Sequence, residues 1–210
     1  MRVVAGSGNS RDFTQVEHDR HCEMVSRFAA RMKDAGAASG TLTLILRSAS
    51  SCPAKAIVAM KDELLGAAIG AKAILARLEP AEDLRELFAS LSELAPRGQS
   101  GELIRWARNP CLLDAHEQVT YGDIMCWSGD PMRRDADKRN ALAMFDEGSS
   151  VRVRHGQLAF DALWAVSSAV PERRLLGPTT PRPSGAYQSS PEAPVTALRL
   201  NLQGWPLVRH

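Results

Sequence analysis

The chain has 210 residues, of which 44% are hydrophobic and 24% are charged, and these values are ordinary for a folded domain. At about 150 residues per domain, this length predicts one domain with an additional tail. Lys and Arg number 26 and Asp and Glu number 24, which gives a net charge of +2. Five Arg and one Glu lie in residues 173–210, so the rest of the chain is slightly acidic, which argues against a nucleic-acid-binding surface there.

Cysteine usage and the lack of long apolar segments predict a cytoplasmic protein. The four cysteines form no C-x-x-C pair, and residues 1–10 lack the apolar core of a secretory signal. Free thiols in a reducing compartment are therefore expected. The sequence contains no run of about 20 uncharged apolar residues, so no membrane-spanning segment is expected.

The first helix is predicted from a capping motif. Thr14 and Glu17 have the spacing of a capping box, so a helix is expected to begin near Thr14 and to end at Gly36. The next segment, residues 41–47 (TLTLILR), is short, apolar and rich in β-branched residues. Its pattern fits either a strand or a buried helical turn.

An apolar pattern with a seven-residue period is the strongest structural signal in the sequence. It covers residues 54–79 and predicts one long helix whose small residues allow a second helix to approach closely. Leucines then line one face of residues 81–95, after Pro80, which predicts a second amphipathic helix. Either face, over residues 57–78 or 84–94, could bind a protein partner or form a homodimer, although packing within the monomer is the simpler interpretation. The seven-residue pattern comprises Ile57, Leu64, Ala71 and Leu78, with Met60, Ala67 and Ile74 three residues after the first three.

Further helices are expected over residues 102–108, 130–147 and 157–170, with an irregular segment at residues 110–130. The sequence therefore predicts a mainly α fold, an irregular helical bundle of about five to six helices.

The ends of the chain differ from this predicted bundle in composition. Residues 1–12 are predicted to be a flexible N-terminus, and residues 13–172 form the predicted helical domain. Seven of the 12 prolines lie at or after Pro171. Such a composition rarely forms a packed core, so residues 173–210 are predicted to be a disordered Pro-rich tail.

Histidines and cysteines provide a candidate zinc site. His18, His21 and Cys22 share one face of the first predicted helix, and the irregular segment could supply the remaining ligands. The alternative is that these side chains continue the apolar stripe of the helix and bind nothing. The sequence predicts no cofactor, and zinc at this site is the alternative. The six candidate metal ligands are His18, His21, Cys22, Cys111, His116 and Cys126.

A second candidate site is the segment of residues 121–139, which mixes aromatic, Gly, Asp and Arg residues. Its basic residues follow a predicted helix start, where they could hold an anion or contact a partner. Neighbouring Asp residues neutralise much of this charge, which favours an ordinary solvated helix face. The candidate contact residues are Trp127, Arg133, Arg134, Lys138 and Arg139.

The sequence contains none of the common nucleotide-binding, zinc-protease or serine-hydrolase motifs. The first hypothesis for function is therefore a non-enzymatic, cytoplasmic helical interaction or regulatory protein. One alternative is a zinc-binding protein or an enzyme that uses the His and Cys residues. Another alternative is a transcriptional regulator that contacts DNA through residues 133–139 and the tail, although the acidic body makes nucleic acid an improbable partner.

Overall fold

Within residues 10–36, 40–95, 102–129 and 143–176, which are the residues that the computed structural model describes, the chain forms a seven-stranded mixed sheet. The strand order is β6-β5-β4-β1-β2-β3-β7. Strands β1, β2 and β3 are parallel to one another, whereas all other neighbouring strands are antiparallel. The strands are β1 (Gly40–Leu46), β2 (Ile69–Leu75), β3 (Ile104–Trp106), β4 (Glu117–Tyr121), β5 (Met125–Gly129), β6 (Ala143–Glu147) and β7 (Ser168–Ala169).

Helices cover the two faces of this sheet unequally. The connections between the parallel strands contain helices that pack with the first helix into the main apolar core on one face. On the opposite face, α5 packs against β1, β2, β4 and β5. The helices are α1 (Ser10–Asp34), α2 (Cys52–Ala59), α3 (Lys61–Gly66), α4 (Ala81–Leu94), α5 (Ser150–Val166) and α6 (Glu172–Leu176), and a short 3-10 helix covers Pro110–Leu113.

The sequence pattern explains why β1 and β2 occupy the middle of the sheet. Parallel strands covered on both faces carry apolar or small residues at most positions. Leu42 and Leu44 of β1, and Ala73 and Leu75 of β2, have no measurable exposure. None of the helices within the described residues is long and apolar enough to cross a membrane.

The prediction of a mainly α helical bundle is wrong, because the structure has a mixed α/β architecture around the seven-stranded sheet. The largest error concerns residues 54–79, which contain α2, α3 and β2 instead of one long helix. Ala68, between α3 and β2, has a positive φ of 53°, a conformation that ends a helix. Two of the small residues that favour close helix packing in the sequence, Gly70 and Ala71, belong to the central strand β2.

Both helical faces that were considered for partner binding are buried inside this fold. The residues of the 57–78 pattern are divided among α2, α3, β2 and the turns that follow them, and Ile74 packs with Phe160 on the α5 face instead of in the main core, so they form no continuous helical surface. The prediction of a helix after Pro80 is confirmed by α4. Its leucine face is buried against the sheet, as the simpler interpretation expected: Leu84, Leu87, Leu91 and Leu94 are at most 5% exposed.

Other predicted helices are strands in the structure. Residues 102–108 contain β3, and the final part of the predicted 130–147 helix is β6; residues 130–142 lie outside the described residues. The segment 110–130, predicted to be irregular, forms a 3-10 helix and the hairpin of β4 and β5.

The terminal helices also differ in their bounds. Helix α1 already includes Thr14, so the expected start at a capping box is wrong, whereas its end before Gly36 is confirmed. The predicted helix at residues 157–170 corresponds to α5, which begins seven residues earlier. Helix α6 covers the first residues of the predicted tail, and residues 1–9 and 177–210 lie outside the described residues.

Candidate functional site

The two faces of the sheet carry chemically different side chains. On β4, Val119 and Tyr121 point into the main apolar core. Gln118 and Thr120, which alternate with them, face α5, as does His116 just before the strand. Because side chains alternate along a strand, the sheet presents a polar row beneath α5. Polar side chains beneath a single covering helix are a candidate binding surface.

Gly156 allows α5 to approach this polar row closely. A Cβ atom at this position would lie 2.7 Å from Gln118 Nε2 and 2.8 Å from Thr120 Oγ1. These distances are shorter than van der Waals contact, so a larger residue would move the helix or the strand residues. Two spaces lie between α5 and the sheet near this close approach, and Gly156 itself lines one of them.

The larger of these spaces, which we call the edge pocket, has a volume of about 460 Å³. It lies between the C-terminal half of α5 and the carboxyl ends of β1 and β2. Arg47, His116 and Glu117 border it at the sheet edge. Most of its wall is apolar: Ile45, Ile74, Leu112, Ala162, Leu163 and Val166.

Hydrogen bonds fix the polar border of the edge pocket. Arg47 is buried, and it donates from Nε to the carbonyl of Leu113 and from Nη2 to the carbonyl of Ala115, both at 2.7 Å. Glu117 Oε1 accepts a 2.9 Å hydrogen bond from the main-chain N–H of Arg47 and another from Ser51 Oγ. These bonds tie the end of β1, the start of α2 and the start of β4 into one rigid border.

A second space, the polar pocket, lies against the N-terminal half of α5 and has a volume of about 390 Å³. Arg152 Nη1 and Asp146 Oδ2 form an ion pair of 3.0 Å within its lining. The polar pocket and the edge pocket share Ala159, so the two spaces follow each other along the helix. Its polar lining comprises Gln118, Cys126, Ser128, Asp146, Arg152 and His155.

A buried polar cluster lies on the other face, between α1, α2 and β5. His21 is completely buried, and its ring meets the Trp127 ring edge-on with centroids 4.4 Å apart. Burial, aided by the nearby charge of Arg20, lowers the pKa of His21 to about 3. Burial also raises the pKa of Glu17, and it raises that of Cys52 to about 11. His21 and Cys52 are therefore held in their neutral forms near neutral pH, whereas the raised pKa of Glu17 shifts the titration of its carboxyl toward neutrality.

The candidate metal ligands are scattered in the structure. Two of them, His18 and Cys22, are in contact, with Cys22 Sγ 3.8 Å from the His18 ring nitrogens. His21 faces the core, Cys111 is exposed, and the remaining two lie in different pockets. Within the described ranges, no three His, Cys, Asp or Glu side chains are grouped so that they could hold a metal ion. Zinc binding stays a prediction from the sequence.

The second candidate site is only partly covered by the structure. Trp127 is fully buried, so it belongs to the core and cannot contact a partner in this conformation. Its predicted companions, Arg133, Arg134, Lys138 and Arg139, lie outside the described residues.

Sequence reasoning missed most of the residues that line the two pockets. Among the candidates, His116 and Cys126 line a pocket, but they were considered for metal binding or catalysis. The alternation of β4, residues 117–121 (EQVTY), was the available signal, and it was overlooked because the segment was interpreted as irregular. Comparisons of this chain with protein-family models, with curated proteins and with solved structures found no match.

Proposed function

We propose that this protein is a binding module that holds a small molecule with an apolar portion in the edge pocket. The observation that supports this proposal is the pocket itself: an apolar space of about 460 Å³ with charged groups at one border. Small-molecule sites are typically concave, mostly apolar and about 300–1,000 Å³ in volume, with a few polar groups that orient the ligand.

The position of the pocket in the fold supports the same proposal. In α/β sheets, ligands commonly bind outside the carboxyl ends of parallel strands. The edge pocket lies at this end of β1 and β2, with Ile45 and Ile74 in its floor. Val166, in its wall, is 79% exposed, and a ligand would cover part of this apolar surface.

The expected affinity for a simple probe is modest. An eight-carbon chain gains about 0.8 kcal/mol per buried methylene, or roughly 6 kcal/mol in total. Association costs at least about 4 kcal/mol, so 1-octanol should bind only weakly. A ligand with further polar contacts would bind more tightly.

Fluorescence of 1-anilinonaphthalene-8-sulfonate tests the proposal, with 1-octanol as competitor. Ala162→Phe fills the pocket, because Ala162 is part of its wall, whereas Ala165→Phe places the same side chain on the exposed surface of α5. We expect the Ala162→Phe variant to lose the fluorescence that 1-octanol displaces and the Ala165→Phe variant to keep it. Equal fluorescence and displacement in both folded variants would contradict binding in this pocket.

The earlier hypothesis of an interaction or regulatory protein is compatible with ligand binding, and it stays a prediction. Its original basis, the helical faces at residues 57–78 and 84–94, no longer supports it because these residues are buried. The alternatives of a zinc protein and a DNA-binding regulator also stay predictions from the sequence.

A further inference from the structure

We infer that the ligand is an amphiphile whose apolar chain occupies the edge pocket and whose uncharged, hydroxyl-rich head occupies the polar pocket. This inference rests on the proposed function and specifies the class of ligand.

The two pockets adjoin each other along α5. Along α5, Arg152 and His155 line the polar pocket, Ala159 borders both pockets, and Leu163 lines the edge pocket. On the sheet side, His116 lines the edge pocket and Gln118 lines the polar pocket. Residues two apart on a strand face the same side, roughly 7 Å apart. The inferred ligand would pass the small side chain of Ala159, which borders both spaces, to reach from one to the other.

The charge of the polar pocket indicates an uncharged head. Its ion pair joins one cation, Arg152, to one anion, Asp146, at 3.0 Å. An anionic head near Arg152 would also meet the carboxylate of Asp146, and a cationic head would meet the guanidinium. The interactions with this pair largely cancel for a head of either charge, although His155, which also lines the pocket, would repel a cationic head when it is protonated.

The remaining polar groups match hydroxyls in particular. Ser128, which is hydrogen-bonded to the Cys126 thiol, has further donor or acceptor capacity. Gln118, whose Nε2 donates to Thr120 Oγ1 at 3.3 Å, keeps an amide oxygen that accepts. Arg152 adds donors and Asp146 adds acceptors. A hydroxyl group both donates and accepts, so a head with several hydroxyls can pair with donors and acceptors that alternate around it. A volume of about 390 Å³ lies within the range of small-molecule sites.

Two probes with the same eight-carbon alkyl group distinguish recognition of the head from binding of the apolar tail. We would measure the affinities of n-octyl β-D-glucoside and 1-octanol for the full-length protein by calorimetry, below the concentration at which the glucoside forms micelles. The glucoside should bind at least about five-fold more tightly than 1-octanol, because a difference of about five-fold in affinity corresponds to the free energy of one net hydrogen bond.

Two conservative substitutions locate the head in the polar pocket. Ser128→Ala removes a hydroxyl, and Asp146→Asn removes a charge while keeping the shape of the side chain. Both should reduce glucoside affinity toward that of 1-octanol without changing 1-octanol affinity. Asp161→Asn is the matched control, because Asp161 is an exposed carboxylate of α5 outside both pockets. Its glucoside affinity should equal that of the unmodified protein, and circular dichroism would verify that each variant is folded.

Several results would overturn the inference. Equal affinities for the glucoside and 1-octanol would show that the head is not recognised, while the proposed function would stand. Tighter binding of octyl phosphate than of the glucoside would replace the uncharged head with an anionic one. Retained glucoside preference in both folded variants would place the head elsewhere. Failure of both probes to bind would contradict the proposed function itself.

Discussion

Glu117 accepts a hydrogen bond at Oε1 from the main-chain N–H of Arg47, 2.9 Å away, and thereby joins the start of β4 to the end of β1. The same oxygen accepts from Ser51 Oγ at the start of α2. Both Arg47 and Glu117 border the edge pocket. One buried carboxylate therefore holds three elements of the border in position.

Removal of that carboxylate should destabilise the fold. In Glu117→Ala, the N–H of Arg47 and the hydroxyl of Ser51 lose a buried acceptor, and each such loss costs about 1–3 kcal/mol. We expect the free energy of unfolding in urea to fall by roughly 2–4 kcal/mol. Glu93→Ala is the control, because Glu93 pairs with Lys61 at the surface and should contribute little. Similar losses in the two variants would contradict the role given to Glu117.

His21 should make stability depend on pH below neutrality. Its folded pKa of about 3 lies below the value of about 6.5 expected when unfolded, so the unfolded state binds the proton first. The contribution of neutral His21 to the free energy of unfolding is fully present above about pH 6.5, and it is lost as the pH falls toward 3. From pH 6.5 to 5, this loss amounts to about 2 kcal/mol.

The comparison with His21→Phe isolates this contribution. The raised pKa of Glu17 acts in the opposite direction, because a carboxyl that stays protonated when folded favours the folded state as the pH falls. Glu17 is present in both proteins, so its effect cancels in the difference. Urea unfolding at pH 7 and pH 5 should show a smaller loss for His21→Phe. Equal losses would show that His21 titrates similarly in the folded and unfolded states.

The sequence allowed prediction of the elements whose signals are local. Pro80 and the following leucines predicted α4, because a proline start and a 3.6-residue period both act within one helix. The strand β2 was missed, because its apolar and small residues also fit the seven-residue period of a helix. Pairing with β1 and β3 decides this choice, and those partners lie about 30 residues away on either side.

The candidate site was less predictable for the same reason. Its two pockets combine residues from the ends of β1 and β2, from β4 and from α5, which are far apart in the sequence. Nothing in the sequence around His116 indicates that Leu163 lies across the same space. Among the residues that line the pockets, His116 and Cys126 are the two whose chemistry indicates a possible site from the sequence alone.

The close packing of α5 at Gly156 predicts that an alanine there destabilises the fold. Gly156→Ala should favour the helix by up to about 1 kcal/mol through propensity, but the added methyl would overlap Thr120 Oγ1, which cannot move away easily. Overpacking costs about 1–3 kcal/mol, so we expect a net loss of stability. In Gly66→Ala, the added methyl meets only Lys33 Nζ at 3.8 Å, so this variant should be neutral or more stable. A stabilised Gly156→Ala protein in thermal unfolding would contradict the close approach of α5.

The four cysteines should differ widely in reactivity toward a disulfide reagent such as 5,5′-dithiobis(2-nitrobenzoate). Only the thiolate reacts, and Cys52 is buried with its pKa raised to about 11 by burial and by the negative charges of Glu117 and Glu17. Burial also raises the pKa of Cys22 and Cys126. Cys111 is exposed in the 3-10 helix, so at pH 8 it should react first.

The Cys111→Ser variant tests this order directly. It should lack the fast phase of thiol release and keep the slower phases, whereas Cys52→Ser should keep the fast phase. In urea, all remaining thiols should react at similar rates, because unfolding removes the burial that separates them. A fast phase that persists in Cys111→Ser would mean that another thiol is accessible and ionised, and Cys22, which is only partly buried, would then be its source.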